Sequence, residues 1–223
     1  MMPYQRCRLF ENAHNVCLIN VDGTNNHCQY LAVLGALRRL GHDLNMSHLD
    51  LRAEVRRILQ QDLTSSGNST YLHQFHGFAQ DEEMRLQTQA RQLQAAARKS
   101  KFQRIPRTPK VYNYNEFLSE YLTGISGTAM GDMLTLQVMA DKYNLNIRVY
   151  IANMTNDRVS QEVVQGRAIH PEASSHTPRR TIAIFLMCRH YQIVEARRPA
   201  LTATSGPSFA DIVAVSHKNY SFI

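Results

Sequence analysis

Four absences bound what this 223-residue chain can be. No apolar run approaches the ~20 residues that a membrane-crossing helix needs, so no membrane span is expected. The opening residues, MMPYQRCRLFENAHN, hold no apolar core of the signal-peptide kind, and a leader is not expected. The cysteines, Cys7, Cys17, Cys28 and Cys188, form no CxxC pair and no dense framework. Reduced thiols in a cytoplasmic setting suit that spacing better than a disulfide scaffold. Internal repeats are missing as well.

What is present suits one globular domain, with room for an insertion. The net charge of +7 is concentrated: Arg85 to Lys110 holds eight Lys or Arg and no acid. A basic stretch can face nucleic acid or an anionic membrane. Its one aromatic residue, Phe102, supplies no series of rings for base stacking, so nucleic acid is disfavoured as a partner and a solvated helix face is favoured. The histidines are scattered. His73 and His76 stand at helical spacing without a third ligand, and no metal is expected.

Val16 to Val21 reads as a strand, stopped by the turn signal Asp22-Gly23. Cys28 then opens an amphipathic helix with Leu31, Leu34 and Leu37 on one face, ended at Gly41. Ser47 is a candidate N-cap for a helix to Gln61. The piece 71–79 is ambiguous. A long helix is expected from Asp81 to about Arg104, acidic in its first turn and basic in its last, with Leu86, Ala90, Leu93 and Ala97 as its apolar stripe. Pro106 and Pro109 end it. Tyr114 to Leu122 is helical, and Asp132 caps another helix that stops at Asn144. Strands are expected at Ile147–Ala152, within Gln161–Ile169, at Thr181–Cys188 and at His190–Glu195, the last two as a hairpin with Cys188 in the core. Asp211 to Val215 is a candidate edge strand.

The chemistry gathers at Cys28. The first turn of a helix presents free N–H groups and the positive end of the dipole, which favour an anion. A thiol there loses its proton more readily, and the thiolate is the nucleophile. A cysteine opening a buried helix can equally serve as a small apolar residue. A histidine is needed to decide, and His190 at the start of the last strand is the candidate.

Three features stand in order: Asp22-Gly23 before Cys28, Gly131-Asp132 leading into LQVMADKYNLNIRVY, and His190-Tyr191 entering a strand. Together they resemble the ovarian-tumour (OTU) family of papain-like cysteine proteases, over roughly residues 15–60 and 111–196. The resemblance implies an α+β, papain-like fold: a central, mostly antiparallel β-sheet flanked by helices. It implies a catalytic domain over 1–196 with a helical insertion at about 62–110, and a C-terminal tail over 197–223. The implied activity is hydrolysis of (iso)peptide bonds after the C-terminal glycine of ubiquitin, without cofactor, by a monomer acting on ubiquitin or polyubiquitin chains.

Two departures from the family's pattern stand out. Four residues, Thr24 to His27, separate Asp22-Gly23 from Cys28, where one or two are commoner. That longer loop is similar to those of bacterial effector members, which implies delivery into a host cytosol. The position two after the histidine, often Asp or Asn in the family, holds Gln192. The third member of a triad is therefore Asp22, which is favoured, or Gln192, whose amide oxygen could accept from the ring. Asn25, Asn26 and His27, with the Cys28 amide, are the expected oxyanion loop, and Gly131 and Asp132 an expected wall of the substrate cleft. The alternative reading is an inactive ubiquitin-binding module of the same fold.

Overall fold

The computed structural model describes residues 3–42, 44–65, 69–99, 113–127, 129–153, 158–167 and 179–197. The expected end of the basic helix at Pro106, the continuation past Gly166 to Ile169, most of the loop 170–180, and the tail with its candidate strand at 211–215 lie outside them. No helix among the described residues is long and apolar enough to cross a membrane.

The fold is α+β, built on a five-stranded sheet ordered β1-β5-β4-β2-β3. Its strands are β1 (Val16–Asn20), β2 (Leu145–Ala152), β3 (Val159–Gln165), β4 (Arg180–Met187) and β5 (His190–Ala196). The pair β2–β4 is parallel and the other three are antiparallel, so the sheet is mixed but mostly antiparallel. Its central strands bury Leu145, Ile147, Val149, Ile182, Ile184, Tyr191 and Ile193. Helices α2 (Cys28–Arg39), α3 (His48–Thr64), α5 (Tyr114–Ser126) and α6 (Met133–Tyr143) share one continuous core with them. Each fully buried aliphatic or aromatic side chain there is worth about 1.5–3 kcal/mol against exposure.

Local signals account for several boundaries. Ser47 caps α3 in a reciprocal box with Asp50, and Asp132 caps α6 in another with Thr135. Asn144 ends α6 in the left-handed conformation, at φ 49°.

Three expectations need correction. A helix not foreseen, α1 (Pro3–His14), precedes β1. It is held by Phe10, which is buried against Phe185 and Tyr150 at ring centroid distances of 4.6 and 5.0 Å. Its Glu11 carboxylate also accepts the Leu18 N–H at 2.8 Å, on the open side of edge strand β1. Second, the long helix α4 (Leu72–Lys99) starts well before Asp81, so its acids lie in mid-helix, away from the dipole's positive end. Tertiary packing decides the start: Phe75 is fully buried among Tyr114, Phe117 and Tyr121, at 5.3–5.6 Å between centroids. The first turns of α4 thus belong to the main core, whereas most of the helix beyond is exposed. Third, Cys188 is exposed, because it forms with Arg189 the two-residue turn between β4 and β5. Both turn residues take positive φ, 51° and 64°. That handedness matches strand twist but is normally left to Asn or Gly.

Candidate active site

Cys28 occupies the first position of α2 and is buried, at 1% exposure. Its N–H is among the amides that have no carbonyl one turn earlier in the helix. The sulfur lies 4.0 Å from the carbonyl oxygen of Arg189, the residue immediately before His190. The tight β4–β5 turn thus comes over the start of α2.

The side-chain partner of His190 is Asn20, at the end of β1: ring Nε2 and Asn20 Oδ1 are 2.7 Å apart. An amide oxygen only accepts, so Nε2 carries a hydrogen and Nδ1 is the ring nitrogen left facing away from Asn20. Neither residue expected for this role makes that bond. The β1–β5 register pairs Asn20 with Gln192, two positions after His190 and on the same strand face. Gln192 instead donates its own N–H to Asn20 Oδ1 at 3.4 Å, and its Oε1 lies 3.9 Å from the Cys7 sulfur. Asp22 accepts from the Thr24 N–H at 2.9 Å and the Thr24 hydroxyl at 2.6 Å. These two donors, the hydroxyl foremost, hold its carboxyl below the usual range.

Gly23 has a purpose beyond the turn. Its backbone sits at φ −90°, ψ −2°, open to any residue. A Cβ there would lie 2.9 Å from His190 Nδ1 and 3.1 Å from Cε1. The imidazole therefore rests on the bare backbone of the Asp-Gly turn, with its basic nitrogen against it.

The loop between them forms one 3-10 turn, Thr24–Asn26, with Asn25 and Asn26 at φ 55° and 59°. Asparagine tolerates that conformation better than most residues. The Asn26 and His27 amides are bound within the loop, to Gly23 and Thr24 carbonyls at 3.1 and 3.3 Å. His27 is half-buried, its ring 4.7 Å from that of His48. Burial first, then the neighbouring Arg52 and His48, push its pKa below the ordinary histidine value.

Gly131 and Asp132 lie beside the Cys28 helix through Gln29, a fully buried polar residue that the sequence did not single out. Gln29 donates to the Asp132 carbonyl at 2.9 Å and accepts from the Thr135 hydroxyl at 2.7 Å. A Cβ on Gly131 would collide with Gln29 Oε1, at 1.8 Å, so only glycine admits this contact. The Asp132 carboxylate accepts from the Thr135 N–H and the Tyr121 hydroxyl, both at 2.8 Å, and burial pushes its pKa up. The carboxylate thus ties the start of α6 to α5, and Gln29 ties it to the start of α2, while Asn20, Gln29 and Arg52 are the site residues that sequence reasoning missed. Asn20 and Gln29 are polar residues within apolar runs and Arg52 one of several polar residues on its helix, signals that name no partner.

No protein-family model and no curated protein matches the chain. Among solved structures, the OTU domain of OTUD1 is similar at 14% identity and a TM-score of 0.49, over 86% of this chain and 93% of that one. An OTU deubiquitinase from Wolbachia pipientis wMel is similar at 12% identity and a TM-score of 0.45, over 83% of this chain and 93% of that one. The same enzyme bound to ubiquitin gives 13% and 0.45, over 82% and 97%. Likeness at this level assigns no activity, and what the site can do follows from its own side chains.

Proposed function

We propose that the chain is a cysteine protease of the OTU type, cleaving the (iso)peptide bond after the C-terminal glycine of ubiquitin. The observation that carries this reading is the His190–Asn20 hydrogen bond of 2.7 Å, on a histidine whose neighbouring carbonyl lies 4.0 Å from the Cys28 sulfur. It supports a thiol–imidazole–amide triad, Cys28–His190–Asn20. The choice of ubiquitin rests on the motif resemblance around Cys28, Gly131-Asp132 and His190-Tyr191.

In this mechanism His190 Nδ1 takes the thiol proton, and the sulfur adds to the carbonyl carbon of the scissile bond. The Cys28 amide, at the positive end of α2, stabilises the oxyanion of the tetrahedral intermediate. The intermediate collapses as Nδ1 gives its proton to the departing lysine amine, leaving a thioester on Cys28. Water, deprotonated by the same nitrogen, then releases the ubiquitin carboxylate and the free thiol. Asn20 keeps the hydrogen on Nε2 throughout, so that Nδ1 is the nitrogen that cycles. Asp22 shapes the oxyanion loop through Thr24. The four-residue Asp-Gly-to-Cys loop, by its likeness to effector members, favours host ubiquitin as the substrate.

A ubiquitin probe with a C-terminal electrophile tests the proposal. Covalent labelling at Cys28, lost in Cys28→Ala, together with cleavage of at least one diubiquitin linkage, is the expected result. Reduced, folded protein that binds the probe without forming a bond would leave an inactive ubiquitin-binding module, and the protease reading would be abandoned.

A further inference from the structure

Arg52 is the most deeply buried cation among the described residues, at 2% exposure, and none of its described contacts is a carboxylate. Burying a guanidinium without a counter-ion is costly unless its N–H groups are satisfied. Here Nε donates to the Ile125 carbonyl, and one terminal nitrogen donates to those of Gly124 and Ala129. Gly124 and Ile125 lie in the last turn of α5, where the carbonyls form the negative end of the dipole. The Tyr30 ring face, 5.2 Å away, adds a cation–π contact. The remaining terminal nitrogen points to His27 Nδ1 at 2.9 Å.

That last contact has a fixed polarity. A guanidinium has donors only, so Nδ1 of His27 must accept. The ring is then neutral, with its one hydrogen on Nε2. The His48 ring, one helical turn from Arg52 on α3, packs against it at 4.7 Å between centroids, tilted by 57°. Among the described residues no protein group takes the Nε2 hydrogen, and the ring belongs to the residue directly before Cys28.

We infer that Arg52 is a positioning residue for the proposed reaction: it holds His27 as the neutral Nε2–H tautomer, which donates a hydrogen bond to the oxyanion beside Cys28. The inference deepens the protease reading and rests on it. A neutral ring locked in this way can donate but cannot take the thiol proton, so it leaves His190 as the only base. Neutral imidazole donors of this kind are a known solution for stabilising a developing oxyanion.

Four single variants, one double variant and one spectroscopic readout test it. His27→Ala should lower kcat about a hundredfold with little change in KM, as loss of an oxyanion donor does. His27→Gln places an amide N–H near the former Nε2 and should recover most of that loss. Arg52→Met should lower kcat by a similar factor, and combining it with His27→Ala should add almost nothing, because both remove one function. If Arg52→Met does not fold, Arg52→Lys keeps the charge but loses the fork and takes its place in the cycle. The ¹⁵N shifts of His27 should report hydrogen on Nε2 in the wild type and a mixed tautomer in the Arg52 variant. Additive losses in the cycle, no rescue by glutamine, or hydrogen on Nδ1 in the wild type would overturn the inference. A wild-type protein inert toward ubiquitin would overturn the protease reading, and with it the catalytic role of His27. In that event the ¹⁵N shifts would still decide whether Arg52 sets the tautomer.

Discussion

Substituting Gly23 with alanine separates the site from the fold. The backbone at this position, φ −90° and ψ −2°, accepts alanine without strain. Removing a glycine from the unfolded chain should therefore add about 0.4–1 kcal/mol of stability. The new methyl would meet His190 Nδ1 at 2.9 Å and Cε1 at 3.1 Å. Favourable non-bonded separations lie at about 3.5–4.0 Å, so the ring must retreat by roughly 0.5–1 Å. Its Nε2 is tethered at 2.7 Å to Asn20, so the ring cannot slide freely and must tilt or break that bond. A misplacement of ~1 Å at a reacting group costs about a hundredfold in rate, or about 2.7 kcal/mol in the barrier. The assay pairs hydrolysis of ubiquitin carrying a C-terminal fluorophore with a thermal melt of the same sample. The expected result is a rate down about a hundredfold with Tm equal to or above that of the wild type. A rate near wild type would refute the placement of His190 as the base. A lower Tm would show that the main chain, and not the ring, had yielded, and would equally refute the reasoning.

Three further outcomes are expected. Asn20→Ala should reduce kcat by at least about tenfold, since the ring loses its tautomer lock, whereas Asn20→Asp, which still accepts from Nε2, should retain most activity; equal losses in both would remove Asn20 from the triad. Phe75→Ala should destabilise the protein by about 3–5 kcal/mol, measured by urea unfolding, if the first turns of α4 belong to the core; a loss under about 1 kcal/mol would detach α4 from it. Glu54, bonded to Arg57 at 2.8 Å and paired with Lys142 at 3.3 Å, has its pKa lowered to about 2. A carboxylate with a depressed folded pKa stabilises above its unfolded value of 4.5, and that stability fades as pH falls towards about 2. The gap in urea midpoint between wild type and Glu54→Gln, at most about 1 kcal/mol, should therefore narrow as pH is taken from about 6 to about 3. A gap independent of pH would contradict the pairing.

How much of this was legible in the sequence depended on range. Signals that act within a few residues were readable: the Asp22-Gly23 stop, the helix opening at Cys28, the caps at Ser47 and Asp132, and the stop at Asn144. The α+β class came from the motif resemblance. Contacts set by register or by packing between distant segments were not readable. Asn20 reaches His190 only because β1 pairs with β5 so that Asn20 stands opposite Gln192. Gln29 and Arg52 look like ordinary polar residues on amphipathic helices until α6 and α5 are laid beside them. The start of α4 was hidden for the same reason. Its aromatic and histidine residues have weak helical preference, and the burial of Phe75 overrides it.

The contact between Glu11 and β1 bears on how separate copies behave when crowded together. With its carboxylate seated on the Leu18 amide, the outer rim of the sheet is partly occupied by the chain's own first helix. Two copies meeting rim to rim would have to strip that carboxylate away before any new strand could join. The short strand that ends in Asn20 thus carries its own guard against fibre-like association.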